Sequence, residues 1–366
     1  MGRPRRARCP SVTAIPVGAG LSVVLGLVGT RVWIALLAAR GYGQFIRDDG
    51  PTTHHGKKGT PTMGGAVVVA AAVVSYLVAH VATLTPLTAS GVLVLFLTTG
   101  LGAVGFVDDY LGVSRQRSLG FRSGPKAACQ VAVSLVFAIG VLVWPESRGI
   151  AIASPAVSFI RDTPLVLPAV LFVLWVLLIV VGTSNAVNLT DGLDGLAAGA
   201  SAMVLGAYVV IGVWEFGKNC AEPAADLARC YPTRDPYDLA VVAAVMVGAL
   251  VGFLWWNAAP AKIIMGDTGA LAIGGTLAGL AITTHTELLL PILGGLFVIV
   301  TASVILQVGW FKVSGGKRLF LIAPLHHHFE ELGWAEITVT IRFWIIAGIS
   351  VALGMGIFYP EWVVRA

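Results

Sequence analysis

Long apolar runs broken by short polar stretches dominate the chain. Runs at 11–30, 64–84, 89–107, 127–144, 164–182, 196–214, 239–256, 269–285, 288–311 and 342–359 each approach or exceed the roughly 20 residues an α-helix needs to cross a bilayer. They predict an all-α polytopic membrane protein with about ten transmembrane helices. The 269–285 run is short and rich in glycine. Several runs are rich in Gly and Ala, which in lipid favours close helix–helix approach. An outer-membrane barrel would instead show alternating segments of about ten residues. No internal repeat or low-complexity linker divides the chain, so residues 1–366 read as a single membrane domain with a basic tail at 1–10.

Composition supports this. Of 366 residues, 57% are hydrophobic and only 12% charged, and the mean hydropathy is +0.86. These values exclude disorder, a disulfide scaffold and an ordinary soluble enzyme. Lysines and arginines number 24 against 19 acids. In a soluble protein that excess would suggest nucleic acid. Here no nucleic-acid partner is expected, because loop Lys and Arg first set orientation and then attract anionic lipids and substrates.

The loops alternate in charge. Those at 31–63, 108–126, 183–195, 257–268 and 312–341 hold most of the basic residues, among them Arg40, Lys57, Lys58, Lys126, Lys262 and Arg318. The other set holds only Arg148, Arg161, Lys218, Arg229, Arg234 and Arg365. The first set is therefore expected in the cytoplasm. The tail, with Arg3, Arg5, Arg6 and Arg8, runs against that orientation. It resembles the start of a signal peptide but lacks a convincing small-residue cleavage site. Cys220 and Cys230 share an outer loop, in a compartment that permits a disulfide. Cys129 reads as a small apolar filler.

The acids gather at one side. Asp108, Asp109, Asp191, Asp194 and Asp267 all fall at or beside the cytoplasmic ends of predicted spans. Ionisable groups near a bilayer are costly and are functional candidates by default. In GFVDDY, Asp108 and Asp109 end the third span, where two acids oppose the helix macrodipole and call for a compensating cation such as Lys126. In NAVNLTDGLDGL, Asp191 and Asp194 share a helical face, and Gly192 and Gly195 allow close backbone approach. The Asn188 sequon lies on the inner face and is discounted. In WWNAAPAKIIMGDTGAL, helix capping explains Asp267 but not its company of Asn257, Lys262 and Gly266.

APLHHHFEELGW carries His326, His327 and His328, which fit a transition-metal tract or a set of phosphate-binding donors. The number of aspartates favours magnesium over zinc. THHGKKGTPTMGG supplies Lys57, Lys58 and the hydroxyl of Thr62, though it is no Walker sequence. Together these residues suit phosphoryl transfer between a soluble, phosphate-bearing substrate and one that arrives through the membrane. A lipid transporter would place charge inside its spans, and a scaffold has no reason to collect five aspartates.

These motifs, in this order from about Gly29 onward, resemble the phospho-N-acetylmuramoyl-pentapeptide transferases, a branch of the polyprenyl-phosphate sugar-1-phosphate transferases. GTPTMGG and HHHFE are similar to that branch in particular. The resemblance implies transfer of phospho-N-acetylmuramoyl-pentapeptide from its uridine diphosphate carrier to undecaprenyl phosphate, giving lipid I and uridine monophosphate. It also implies a bacterial plasma membrane setting, a cytoplasmic active site, a Mg2+ cofactor and a homodimer.

By the same resemblance Asp108 is the base toward the lipid phosphate, Asp109 an acid needed for activity, and Asp267 the magnesium ligand. Lys57, Lys126, Asn188, Asp191, Asn257, Gln307 and His326 line the nucleotide-sugar site. Gly192, Leu193 and Asp194 contact uracil. Departures include Ile264 where the family often has Phe, altered spacing after the histidines, and a shorter, more basic N-terminus. A sister enzyme using a nucleotide-linked N-acetylhexosamine is the nearest alternative. Direct displacement and a covalent aspartyl intermediate both remain open.

Overall fold

In a bilayer each backbone N–H and C=O must be satisfied within its own segment, so apolar runs of this length fold as helices. The structure, a computed structural model, describes residues 13–40, 59–114, 123–147, 149–221 and 230–360. In chain order it contains α1 (Ala14–Ala39), α2 (Gly65–Thr83), α3 (Ala89–Ser114), α4 (Ser123–Val143), β1 (Ala156–Ser158), β2 (Asp162–Val166), α5 (Ala169–Thr190), α6 (Leu196–Gly217) and α7 (Pro236–Asn257). There follow α8 (Gly266–Thr283), α9 (Leu290–Leu293), α10 (Gly295–Val313), α11 (Leu325–Glu331) and α12 (Glu336–Phe358). Lys57, Lys58 and the basic tail lie outside the described residues.

Among the described residues nine helices are long and apolar enough to cross a membrane: α1 to α7, α10 and α12. The tenth expected span is α8, and it differs in kind. All its residues from Thr268 to Thr283 are buried, enclosed chiefly by α3, α5 and α2. Protein rather than lipid is its surroundings, so its glycines and threonines carry no penalty against lipid. The backbones around it nearly touch. A Cβ on Gly65 would fall on the backbone of Gly269, and one on Gly105 on the carbonyl of Asp267.

Several boundaries differ from the hydropathy pattern. The predicted 164–182 span loses its first residues to β2, which pairs antiparallel with β1. Pro168 then starts α5, which runs on through Asn188 to Thr190. The 288–311 run breaks at Gly294 into α9 and α10. The loop expected at 312–341 contains α11, and α12 begins at Glu336 instead of near 342.

The end of the bundle away from the aspartates is tied by polar contacts. Asp238 on α7 accepts hydrogen bonds from Tyr76 and His80 of α2, each at 2.8 Å. Cys220 and Cys230 form a disulfide, with Cα atoms 4.9 Å apart. The Ser158 amide donates to Glu287 at 3.1 Å, and His285 pairs with Asp162 at 3.1 Å. Burial, reinforced by the charge of Asp162, pushes the Glu287 carboxyl up to about 8.

Two outcomes are expected in thermal unfolding of the detergent-solubilised protein. Gly65→Leu should lower the midpoint by about 3–10 °C through overpacking, whereas Gly20→Leu, at a position with open space around it, should leave it unchanged. The second concerns pH. The folded state holds a proton on Glu287 that the unfolded chain releases, so stability should fall as pH rises between the ordinary value of 4.5 and about 8. Glu287→Gln should flatten that decline.

Candidate active site

The aspartate end of the bundle is built by the C-terminal halves of α3, α5, α7 and α10 and the N-terminal ends of α4, α6, α8 and α12, with α11 beside them. Helices alternating in direction bring these ends together, so all five predicted aspartates lie at one end.

The innermost set begins at α8. The first N–H groups of a helix have no partner in their own helix, and no side chain of its own N-cap residue satisfies those of α8. Asp109 of α3 supplies the acceptor instead. Its Oδ1 accepts the Asp267 amide at 3.1 Å, and its Oδ2 accepts the Thr268 amide at 2.9 Å and the Thr268 hydroxyl at 2.6 Å. The acid expected to oppose the dipole of α3 thus favours the dipole of α8. α3 also continues to Ser114, so neither Asp108 nor Asp109 is at its terminus. Asp267 is not a cap; it sits in the first turn of α8 with its carboxylate turned outward.

That carboxylate meets Lys126. Lys126, in the first turn of α4, bonds to Asp108 Oδ2 at 2.9 Å and also to Asp267 Oδ2. Side chains of the three are 15–24% exposed, accessible to a ligand but partly withdrawn from water. One ammonium therefore bridges two carboxylates that belong to helices distant in sequence.

A second set surrounds the turn between α5 and α6. Asp191 follows the last residue of α5, and Leu193 and Asp194 are buried. Gly192 lies against α11: a Cβ there would collide with His326 and come within 3.0 Å of His327 Nε2. His326 is fully buried. His327 pairs with Glu330 at 2.7 Å, and His328 Nδ1 accepts the Leu321 amide at 3.2 Å. Asn188 lies on the last turn of α5. The Asn257 amide donates to the Ile263 carbonyl at 2.9 Å, leaving a buried Oδ1 that accepts nothing within the described residues.

Two predicted residues lie in segments that shape the site. The Gln307 side-chain oxygen accepts the Leu319 and Phe320 amides at 3.1 and 2.8 Å, pinning the loop before α11. Thr62 is nearly buried in a segment that pairs with the loop before α8: the Ile264 amide donates to Pro61, and the Gly64 and Gly65 amides donate to Ile264 and Met265. Ile264 thus joins two site segments through its backbone.

The chain is similar to known proteins over most of its length. Glycosyl transferase family 4 matches residues 91–285, just over half of the chain. A phospho-N-acetylmuramoyl-pentapeptide-transferase from Cutibacterium acnes is 57% identical over 350 residues, covering 95% of this chain and 98% of the relative. One from Pseudarthrobacter chlorophenolicus is 56% identical over 365 residues, 96% and 99% of the two chains. One from Streptomyces griseus is 55% identical over 347 residues, 94% and 97%. The chain belongs to the phospho-N-acetylmuramoyl-pentapeptide-transferases.

For this transferase, the residues that sequence reasoning overlooked are Thr268, Ala261 and Glu336. Each acts by a backbone or capping contact with a residue remote in sequence, which no local motif reveals. The capping contact is testable. Asp109→Ala should leave the Asp267 and Thr268 donors unpaired, at a cost of about 1–3 kcal/mol. A lowered thermal midpoint should report it, and Asp109→Asn, which keeps one acceptor oxygen, should lose less.

Proposed function

We propose that the chain transfers phospho-N-acetylmuramoyl-pentapeptide from uridine diphosphate N-acetylmuramoyl-pentapeptide to undecaprenyl phosphate, yielding lipid I and uridine monophosphate. The observation that carries this reading is the Asp108–Lys126–Asp267 bridge at the mouth of the helical bundle. Its inner end faces the cytoplasm of a bacterial cell by the distribution of loop charge.

Phosphoryl transfer is mostly positioning and charge neutralisation. The phosphate of the lipid attacks the β-phosphorus of the nucleotide sugar. The bond from that phosphorus to the oxygen bridging it to the α-phosphorus breaks, and uridine monophosphate leaves with the electron pair. Asp108 accepts any proton the lipid phosphate carries. Lys126, released from one of its carboxylates, neutralises the approaching phosphates, with Lys57 and His326 as further donors. The turn from Asp191 to Asp194, Asn188 and Asn257 hold the nucleoside and sugar.

The donor set fits magnesium. The available ligands are hard carboxylate oxygens, and a cation, the Lys126 ammonium, already stands between two of them. Magnesium is commonly held by one or two carboxylates together with substrate phosphates. Asp267 would hold it, with Asp108 alongside. When bound, it supplies charge stabilisation to the transferring phosphate.

An apolar groove suits the polyprenyl chain. It has a volume of about 360 Å3 and lies between α5 and α10, lined by Leu178, Ile179, Phe297, Val298 and Ile305. Its lining runs from Leu288, Leu290 and Pro291 at one end to the middle of α5 and α10, two spans that both end at the site.

Purified protein given magnesium, undecaprenyl phosphate and the nucleotide-linked muramoyl pentapeptide should release uridine monophosphate. Asp267→Asn should cut release at least about 100-fold while the protein stays folded. Turnover retained in that variant would remove Asp267 from the proposed role. Chelation should stop the reaction, and added magnesium should restore it.

A further inference from the structure

Glu336 opens α12, and an acid in a first turn is ordinarily explained by the helix dipole. Its geometry shows more. Glu336 Oε1 accepts the backbone N–H of Asp194 at 2.9 Å, across 142 residues of sequence. Neighbouring amides of that turn are taken locally. The Asp191 amide is taken by Asn188, and the Leu196 amide by Leu193. Gly195 enters α6 in a left-handed conformation, φ 75°, and no side chain caps it.

The contact continues. Asp194 Oδ2 accepts the Ala261 amide at 2.9 Å. Ala261 lies in the loop that leads to Asp267, and that loop is fastened to α7 through Asn257 and through the Lys262 amide, which donates to Trp256 at 2.8 Å. Two hydrogen bonds to carboxylate oxygens therefore join α12 to the α5–α6 turn and that turn to the segment carrying Asp267. The junction is not filled by packing. Thr60, Asp194, Pro260, Ala261, Glu336 and Ile337 wall a cavity of about 440 Å3, so among the described residues a shortened side chain at 336 has nothing to replace it.

We propose that Glu336 is a positioning residue. Acting through Asp194, it sets the α5–α6 turn at the spacing from the Asp267 loop that the uridine nucleotide requires. This rests on the function proposed above. The role needs an acceptor oxygen at position 336, not a negative charge.

The test uses the full-length protein with Glu336→Met, which keeps the volume but removes the acceptor, and Glu336→Gln, which keeps it. Glu336→Met should raise KM for the nucleotide-linked sugar about tenfold. Its kcat should stay within about threefold, and KM for undecaprenyl phosphate should not change. Amide hydrogen exchange over residues 191–197 should speed up in Glu336→Met and match the unmodified protein in Glu336→Gln. An unaltered KM and exchange in Glu336→Met would overturn the proposal, as would a Glu336→Gln variant as impaired as Glu336→Met. If Glu336→Met fails to fold, Glu336→Ala takes its place: a raised KM and faster exchange uphold the proposal, and values matching the unmodified protein overturn it. Absence of uridine monophosphate release by the unmodified protein would sink the functional reading only, because the exchange measurement still reads the contact.

Discussion

The site depends on a carboxylate that serves a helix other than its own. Asp109 belongs to α3, yet its oxygens satisfy the first amides of α8. A helix end enclosed by protein near a bilayer has little water to turn to, and each unpaired N–H there is expensive. Only an acceptor delivered from outside the helix resolves this. Once Asp109 is committed to the backbone of α8, the neighbouring Asp108 and the side chain of Asp267 are left to face Lys126. Adjacent positions on one helix point about 100° apart, and that divergence separates a structural acid from an exposed one.

The close approach that makes the cap possible comes from glycine. Gly105 of α3 and Gly65 of α2 lie against the start of α8 with no room for a Cβ. In lipid there is no hydrophobic gain from bringing two apolar helices together, so small residues that permit backbone contact matter more than large ones. The glycines of α8 itself, Gly269, Gly274, Gly275 and Gly279, lower its hydropathy, and among the described helices α8 is the one buried without a break from Thr268 to Thr283.

The two ends of the bundle use polar groups differently. Away from the aspartates, Asp238, His80, Tyr76, Glu287 and Ser158 are paired and mostly buried, and they hold helices in register. At the aspartate end, Asp108, Lys126 and Asp267 keep partial exposure. Charges that can trade a protein partner for a ligand are cheap to redirect. Fully buried ones are not, since breaking a buried pair leaves an uncompensated charge.

Much of this was legible in the chain. Hydropathy marked the helices, because a span is a matter of length and composition and needs no knowledge of its neighbours. The motifs around Asp108, Asp191, Asp267 and His326 marked the family and the segments that the structure gathers at one end of the bundle. Boundaries were less legible: β2 and the early start of α12 depend on Pro168 and on contacts made by Glu336, which hydropathy does not weigh. What only the tertiary structure decided was the division of labour among the acids. Asp108 and Asp109 are chemically identical neighbours, and Asp267 reads locally as a cap. Which carboxylate caps, which pairs with Lys126, and which amide Glu336 receives are set by distances between segments 18 to 159 residues apart. A linear pattern holds no such distances; they exist once the helices have packed.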